Sequence, residues 1–380
     1  MAPFLLALFQ LSVCFVFLLY RILARPNNEI SPMKLRIFRH SWLVVLFFLL
    51  AGCDNQEKTA SRGLVLEGKT MGTYWRVSLA GVDSSQEQGL RDKIQAQLDE
   101  DDRLMSTWKN DSALSRFNQF DSTAPYPVSE AMSDIITMAL RVGAKTEGAM
   151  DITVGPLVNL WGFGPHKAPE KTPDEAEITA AKALTGLHHL QVINASGKQW
   201  LKKDLPSLSV DLSTIGEGYA ADHLARLMEQ NGIGRYLVSV GGTVVARGMN
   251  SEGNAWRVAI QKPTDRESVI QALVDINGHA ISTSGSYLNY YELDGKRISH
   301  IINPKTGRPI DHNLVSVSVI ATTAMEADAW DTGLMVLGAE KAKQVAQKEG
   351  LAVYLITRGE HGFETWMSPQ FKTFLLNEYN

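Results

Sequence analysis

Apolar and polar residues alternate through LVLEGKTMGTYWRVSLAG (residues 64–81), which reads as a pair of strands joined by a short turn. The period then changes. Leu, Ile and Ala recur at three-to-four spacing in residues 86–104 and again in 129–147, predicting two amphipathic helices. A loop from Pro165 to Pro173 leads to a helix at 174–186, and HLQVINASGKQWLKK reads as a hairpin turning at Ala195, Ser196 and Gly197. Strand SLSVDL, helix 217–231 and strands RYLVSVGG, WRVAIQ, SVIQALVDING and YYELDGKRISHII follow. A helix over 324–349, broken at Gly338, precedes a final strand pair that includes LAVYLIT. Strands outnumber helices and often run consecutively, so the pattern predicts α+β rather than a doubly wound sheet.

One helix does not fit the simple amphipathic scheme. In TTAMEADAWDTGLMVLG (322–338), Thr323 and Glu326 have the spacing of a capping box, so the helix starts near Ala324. Glu326 also complements the positive end of the helix dipole. Asp328, Asp331 and Thr332 lie beyond the first turn and share a face, while Ala327, Leu334 and Leu337 form an apolar seam. Two aspartates and a threonine facing one way on a buried helix are oxygen ligands of the kind a hard cation takes.

Composition adds exclusions. The chain has 380 residues, 44% hydrophobic and 21% charged, with a net charge of -4, so neither nucleic-acid binding nor a charged tail is indicated. The N-terminus differs from the rest. Lys34, Arg36 and Arg39 precede an apolar run ending Leu50-Ala51-Gly52-Cys53, which resembles the lipobox of bacterial lipoproteins. The expected organisation is an upstream extension at 1–32, a signal at 33–52, a lipidated tether at 53–63 starting with Cys53, and one domain at 64–380. Asp54 after the cysteine resembles an inner-membrane retention signal, which implies the periplasmic face of a bacterial inner membrane. A membrane anchor with an incidental cysteine and a membrane hairpin are the other readings. Cys14 and Cys53 are the chain's two cysteines, so with Cys53 acylated the exported domain has no thiol for disulfides, zinc or catalysis.

Four further stretches carry candidate chemistry. SVDLSTIGEGYAAD (209–222) mimics a dinucleotide fingerprint, but the following strand offers Ser239 and Gly241 where a Rossmann site needs an acid. What is left is Asp211, a Ser213-Thr214 turn, and a glycine-rich helix start suited to either a phosphate or a plain cap. AISTSGSY (280–287) reads as a hydroxyl-rich loop between strands. In GAMDITVGPLVNLWGFG (148–164), Asp151 sits among apolar residues and needs a specific partner. His300 ends a strand in SHIINPKTGRPI, as a catalytic or a structural histidine.

Taken in order with GKTMGTYW, MSTWKNDSALSRFN, SVGG and MEADAWDTGLMVLG, these stretches resemble the ApbE family of FAD:protein FMN transferases over nearly all of residues 65–375. The resemblance implies a T-fold-like α+β architecture with FAD in a cleft between two subdomains. It implies Mg2+-dependent transfer of FMN from FAD to a threonine hydroxyl of a partner protein, with release of AMP. Met71 and Trp108 would flank the flavin, and Ala149, Met150 and Asp151 would line the nucleotide. Asp211, Glu217 and Ile302 would also contact FAD, and Thr214, Asp328, Asp331 and Thr332 would surround the metal. His300 is the candidate general base for the threonine hydroxyl. The implied acceptors resemble subunits of Na+-translocating NADH:quinone reductase and Rnf-type complexes. Two departures stand out: Glu217 occupies a position that is commonly lysine, and Thr243 follows SVGG where aspartate is frequent. FAD pyrophosphatase activity and non-catalytic flavin carriage are the alternative functions.

Overall fold

Strands β1 (Leu64–Thr70) and β2 (Thr73–Leu79) pair antiparallel around Met71-Gly72, as their alternation predicts. In the computed structural model, residues 63–164, 169–264, 269–287 and 289–379 are described, all within the compact unit Ala60–Asn380. The expected extension, signal, tether and lipidated Cys53 lie outside the described residues. Among those residues, no helix is long and apolar enough to cross a membrane.

The first half of the domain is mixed. Helix α1 (Glu87–Met105) is followed by α2 (Ala113–Gln119), β3 (Tyr126–Val128), α3 (Glu130–Lys145), α4 (Gly155–Leu160) and α5 (Glu175–Lys182). Ser112, Ser129 and Asp174 accept backbone N–H groups at the starts of α2, α3 and α5, so each of these three begins at a side-chain cap. The predicted hairpin is β4 (Leu190–Ala195) and β5 (Lys198–Lys203), which pair with β3 in a small sheet. Helix α6 (Gly216–Gln230) then leads to β6 (Tyr236–Val240), β7 (Thr243–Arg247), β8 (Arg257–Gln261), β9 (Ile270–Asp275) and β10 (Ala280–Gly285). The hairpin β11 (Tyr290–Leu293) and β12 (Lys296–Ser299) and the short pair β13 (Ile302–Asn303) and β14 (Arg308–Pro309) precede β15 (Leu314–Ala321). Helices α7 (Ala324–Leu337) and α8 (Ala339–Glu349) and strands β16 (Ala352–Gly359), β17 (Gly362–Met367) and β18 (Leu375–Glu378) complete the domain.

An eight-stranded antiparallel sheet, ordered β1-β2-β6-β7-β10-β15-β16-β17, is the frame. Leu90, Ile94 and Leu98 of α1 and Leu224 and Met228 of α6 pack on Leu66, Trp75, Val77 and Val238. The sheet β18-β9-β8 meets the frame elsewhere through Ile260, Val274, Ile281, Tyr354 and Ile356. Helix α7 lies in the main core, with ten of its fourteen residues buried, among them Trp330, Leu334 and Met335. A helix apolar on nearly every side belongs inside a domain, so the two carboxylates it carries are held deep. The architecture is the predicted mixed α+β.

Three expectations are corrected. SLSVDL forms no ladder strand; side chains described below bond the backbone of Leu208 and Val210. AISTSGSY is not a loop, because Ala280–Gly285 is strand β10, and the hydroxyls of Ser282 and Thr283 find partners on neighbouring strands. YYELDGKRISHII is a hairpin, turned at Asp294-Gly295, both of which have positive φ (51° and 72°). That is the two-residue turn favoured by an Asp-Gly pair. The expected break between α7 and α8 falls at Gly338, with φ 76°.

Candidate functional site

The site is organised from the buried end of α7 outward. Thr323 caps the helix by accepting the Glu326 N–H at 3.2 Å. Glu326 does not complete a capping box; its carboxylate takes Arg141 instead, at 2.7 Å. The remaining N-terminal amides, of Ala324 and Met325, donate to Asp222 of α6 at 2.8 and 3.0 Å. Asp222 therefore ties α6 to α7, and its carboxylate, pushed up by burial and pulled down by these two N–H groups, is a cap that the sequence pattern gave no reason to single out.

The two helices touch closely. Any Cβ on Gly218 would collide with Ala324 O and lie 2.8 Å from Asp328 Cβ, so glycine is what permits the approach. Across it, the Gly218 N–H donates to Asp328 Oδ2 at 2.8 Å. At the glycine-rich start of α6, the Gly218 amide is therefore taken by a carboxylate of this chain. On its other side Asp328 accepts from Ser282 at 3.4 Å, and Ser282 in turn bonds Thr243 at 2.8 Å. Thr243 thus ends a hydroxyl chain that reaches Asp328.

Asp331 is almost wholly buried and receives the Thr332 hydroxyl at 3.2 Å. Burial pushes both Asp328 and Asp331 far above the ordinary carboxylate range, and each is raised further by negative neighbours, Asp328 by Asp331 and Glu217 and Asp331 by Glu217. Glu217 reaches from the first turn of α6 to the Gly242 N–H at 2.9 Å, and any Cβ on Gly241 would overlap its carboxylate. The glycines of SVGG are the cradle of Glu217. Thr214 Oγ1 is buried without a hydrogen-bond partner. Hard oxygens, paired buried carboxylates and an orphaned hydroxyl fit a divalent cation such as Mg2+. Among the described residues no three His, Cys, Asp or Glu side chains cluster for metal binding, so the fit rests on carboxylates supplemented by hydroxyls.

Beside this set lies a pocket of about 230 Å3, lined by Ala149, Asp151, Asp211, Thr214, His300, Ile302 and Thr332, seven of the sequence-predicted residues. It sits between the main core and a small apolar cluster of Leu157, Trp161, Ile178, Ile298 and Ile302. Asp151 accepts the Thr153 N–H and hydroxyl at 2.7 and 2.6 Å, while burial raises its pKa. Asp211 accepts the Ser213 N–H and hydroxyl at 2.9 and 2.6 Å, and its own N–H donates to Ile152 O at 2.7 Å, joining the two acidic stretches. His300 Nδ1 lies 2.9 Å from Asn289 O. A carbonyl only accepts, so Nδ1 carries the proton and Nε2 of the neutral ring is free to take one. Burial lowers the His300 pKa, favouring that neutral form.

Not every predicted residue lines the pocket. Met150 is fully buried beneath it, its N–H held by Thr146 at 3.1 Å. Met71, at φ 44° in the β1–β2 turn, packs against both large cores. Trp108 is 68% exposed in the loop after α1. Ser213 and Ser284, from two of the stretches with candidate chemistry, line the pocket too, and Asn289, which had not been singled out, contributes a backbone carbonyl that no side-chain pattern signals. A larger cavity of about 870 Å3, lined by Tyr219, Asp222, His223 and Arg226, holds none of the predicted residues. The smaller pocket is the better candidate because acids, hydroxyls and a free imidazole nitrogen converge there.

The profile of the ApbE family matches residues 71–355. An FAD:protein FMN transferase of Klebsiella pneumoniae (strain 342) is 69% identical over 351 residues, covering 92% of this chain and 100% of that protein. An FAD:protein FMN transferase of Escherichia coli (strain K12) is 65% identical over 352 residues, with 92% and 100% covered. The flavin transferase ApbE from Vibrio cholerae superposes with a TM-score of 0.76 at 42% identity, covering 83% of this chain and 99% of that one.

Proposed function

The chain belongs to the ApbE family and is an enzyme, an FAD:protein FMN transferase, and from that premise we propose the course of its reaction: divalent-cation-assisted transfer of FMN from FAD to a threonine hydroxyl of a partner protein, with release of AMP. The observation that carries the cation is the buried Asp328–Asp331 pair, with the orphaned Thr214 hydroxyl lining the same pocket as Thr332. Asp328, Asp331, Thr332 and Thr214 would hold Mg2+. When bound, it would neutralise charge on the phosphate oxygens.

The chain's own residues account for the rest. A pocket of about 230 Å3 is smaller than the ~300–1,000 Å3 typical of whole-ligand sites, so it would take part of FAD, with the remainder reaching toward Trp108 and Met71. Asp151 and Asp211, each fixed by hydroxyl and amide donors, would orient polar groups of the dinucleotide, with Ala149 and Ile302 in the walls, Met150 buried behind them, and Glu217 meeting the part of FAD outside this pocket. The acceptor threonine oxygen bonds to the FMN-side phosphorus as the bond to the AMP oxygen breaks. AMP leaves with that electron pair, and the threonine proton passes to His300 Nε2. Asn289 O holds the imidazole in the tautomer that can accept it.

We also propose that translation starts at Met33, that Cys53 is the lipidated N-terminus, and that the enzyme faces the periplasm from the inner membrane. Acceptors would be subunits like those of Na+-translocating NADH:quinone reductase or Rnf-type complexes. Incubation with FAD, Mg2+ and such an acceptor tests the reading by intact mass. An acceptor heavier by one FMN supports it, whereas free FMN and AMP with an unmodified acceptor would make the enzyme a pyrophosphatase.

A further inference from the structure

We propose that Asn118 and Lys203 are positioning residues of the flavin site, holding in place the segment that carries Asp211 and Thr214; the inference rests on the reading that Asp211 contacts FAD. The segment from Leu208 to Leu212 runs between β5 and α6 with no strand to pair with. Unpaired backbone in a core is costly. Here two side chains replace the missing strand. The Asn118 amide donates to Val210 O and accepts from Val210 N, both at 2.8 Å, as a neighbouring strand would. Lys203 Nζ donates to Leu208 O at 3.1 Å, to Asn118 O at 3.1 Å and to Phe117 O at 3.4 Å.

The lysine is informative because it is an extravagant choice. It is completely buried, its ammonium 5.2 Å from the Phe117 ring centroid, with carbonyls for partners. An apolar residue would fill the space without the desolvation cost of a charge. What the ammonium alone supplies is a three-way tie between the last-turn carbonyls of α2 and Leu208 O. It binds the carbonyl end of α2, where a cation is favoured, to the segment that Asn118, on the same helix, grips at Val210. One residue later, Asp211 is fastened to Ile152 O and enters the pocket, and three further on comes Thr214. Helix α2 is thereby coupled to one wall of the pocket without lining it.

The test measures FAD affinity by flavin fluorescence, with thermal melting in parallel, for wild type, Asn118→Ala, Lys203→Met, Asp211→Ala and the doubles with Asp211→Ala. Asn118→Ala and Lys203→Met are each expected to weaken FAD binding about tenfold at a temperature where the protein is folded, the size seen when supporting contacts behind a ligand group are removed. In the Asp211→Ala background each should add less than about twofold, because residues acting through a shared partner are not additive. Asn118→Ala carries the proposal alone if Lys203→Met does not fold. A lowered melting temperature with wild-type FAD affinity, or losses fully additive with that of Asp211→Ala, would overturn it. Wild-type affinity in Asp211→Ala itself would overturn the underlying reading as well.

Discussion

Gly218 and Asp328, 110 residues apart in the chain, are joined by an N–H···Oδ2 hydrogen bond of 2.8 Å where α6 and α7 approach too closely for a Cβ. The bond does two things. It satisfies an amide at the start of α6, and it fixes one oxygen of Asp328, so that the other, shared with Ser282, is directed by the fold and not by solvent. A carboxylate positioned this way loses little freedom on taking a ligand, which is the condition for a pre-formed site.

Gly218→Ala tests that geometry. The added methyl meets Ala324 O and Asp328 Cβ, and backbone cannot yield as a flexible side chain does. The variant is expected to lose about 1–3 kcal/mol of stability, the usual cost of overpacking. Its Mg2+ affinity should fall as well, because Asp328 moves with α7. Differential scanning fluorimetry with and without Mg2+ reads both. A variant as stable as wild type and equally stabilised by Mg2+ would show that the helix contact does not set the site.

His300→Ala is expected to slow FMN transfer about 100-fold or more, the scale of a lost general base, with FAD still bound. The pH profile gives the sign. Burial holds His300 below its ordinary value of 6.5, so the neutral, proton-accepting ring prevails at neutral pH. Transfer should fall as pH drops, with a midpoint below 6.5, and this acid limb should vanish in the variant. An unchanged limb, or near-normal turnover without His300, would make the residue structural.

Much of this was legible in the sequence because local chemistry decided it. Thr323 marks the start of α7 and Gly338 its end, and the three-four spacing of Asp328, Asp331 and Thr332 gives their common face. Other features depended on distant partners. Ser282 and Thr283 of β10 read as part of a loop because the neighbours that absorb their hydroxyls, Thr243 and Ser318, come from other strands. SLSVDL alternates like a strand, yet its pairing is done by the side chain of Asn118, 92 residues before Val210. The Asp294-Gly295 turn was a local signal, hidden inside a run rich in β-formers. Glu217 is the intermediate case: its place at the start of α6 was readable, its grip on Gly242 N was not.

Trp108 offers an independent check on the flavin face. At 68% exposure its ring contributes little to the core, so Trp108→Ala should change stability by no more than about 0.5 kcal/mol. If the ring stacks on the isoalloxazine, the same variant should weaken FAD binding by about 0.5–1.5 kcal/mol, the range for aromatic pairs. Trp108→Phe should recover part of that. Equal FAD affinity in all three proteins would remove Trp108 from the site.

FMN transfer is expected to depend on a metal carried by α7. Asp328→Asn keeps the shape and an acceptor for the Gly218 N–H but removes one of two crowded buried charges. Without metal the variant should therefore melt no lower than wild type, while losing the Mg2+-induced stabilisation. The direct measurement is a Mg2+ titration of FMN transfer to an acceptor protein, read as the mass gain of one FMN, for wild type and Asp328→Asn. Chelator is expected to abolish wild-type transfer, and the variant to need far more Mg2+ or to fail at any concentration. Transfer that survives chelation, or an Asp328→Asn enzyme with the wild-type Mg2+ dependence, would contradict this expectation.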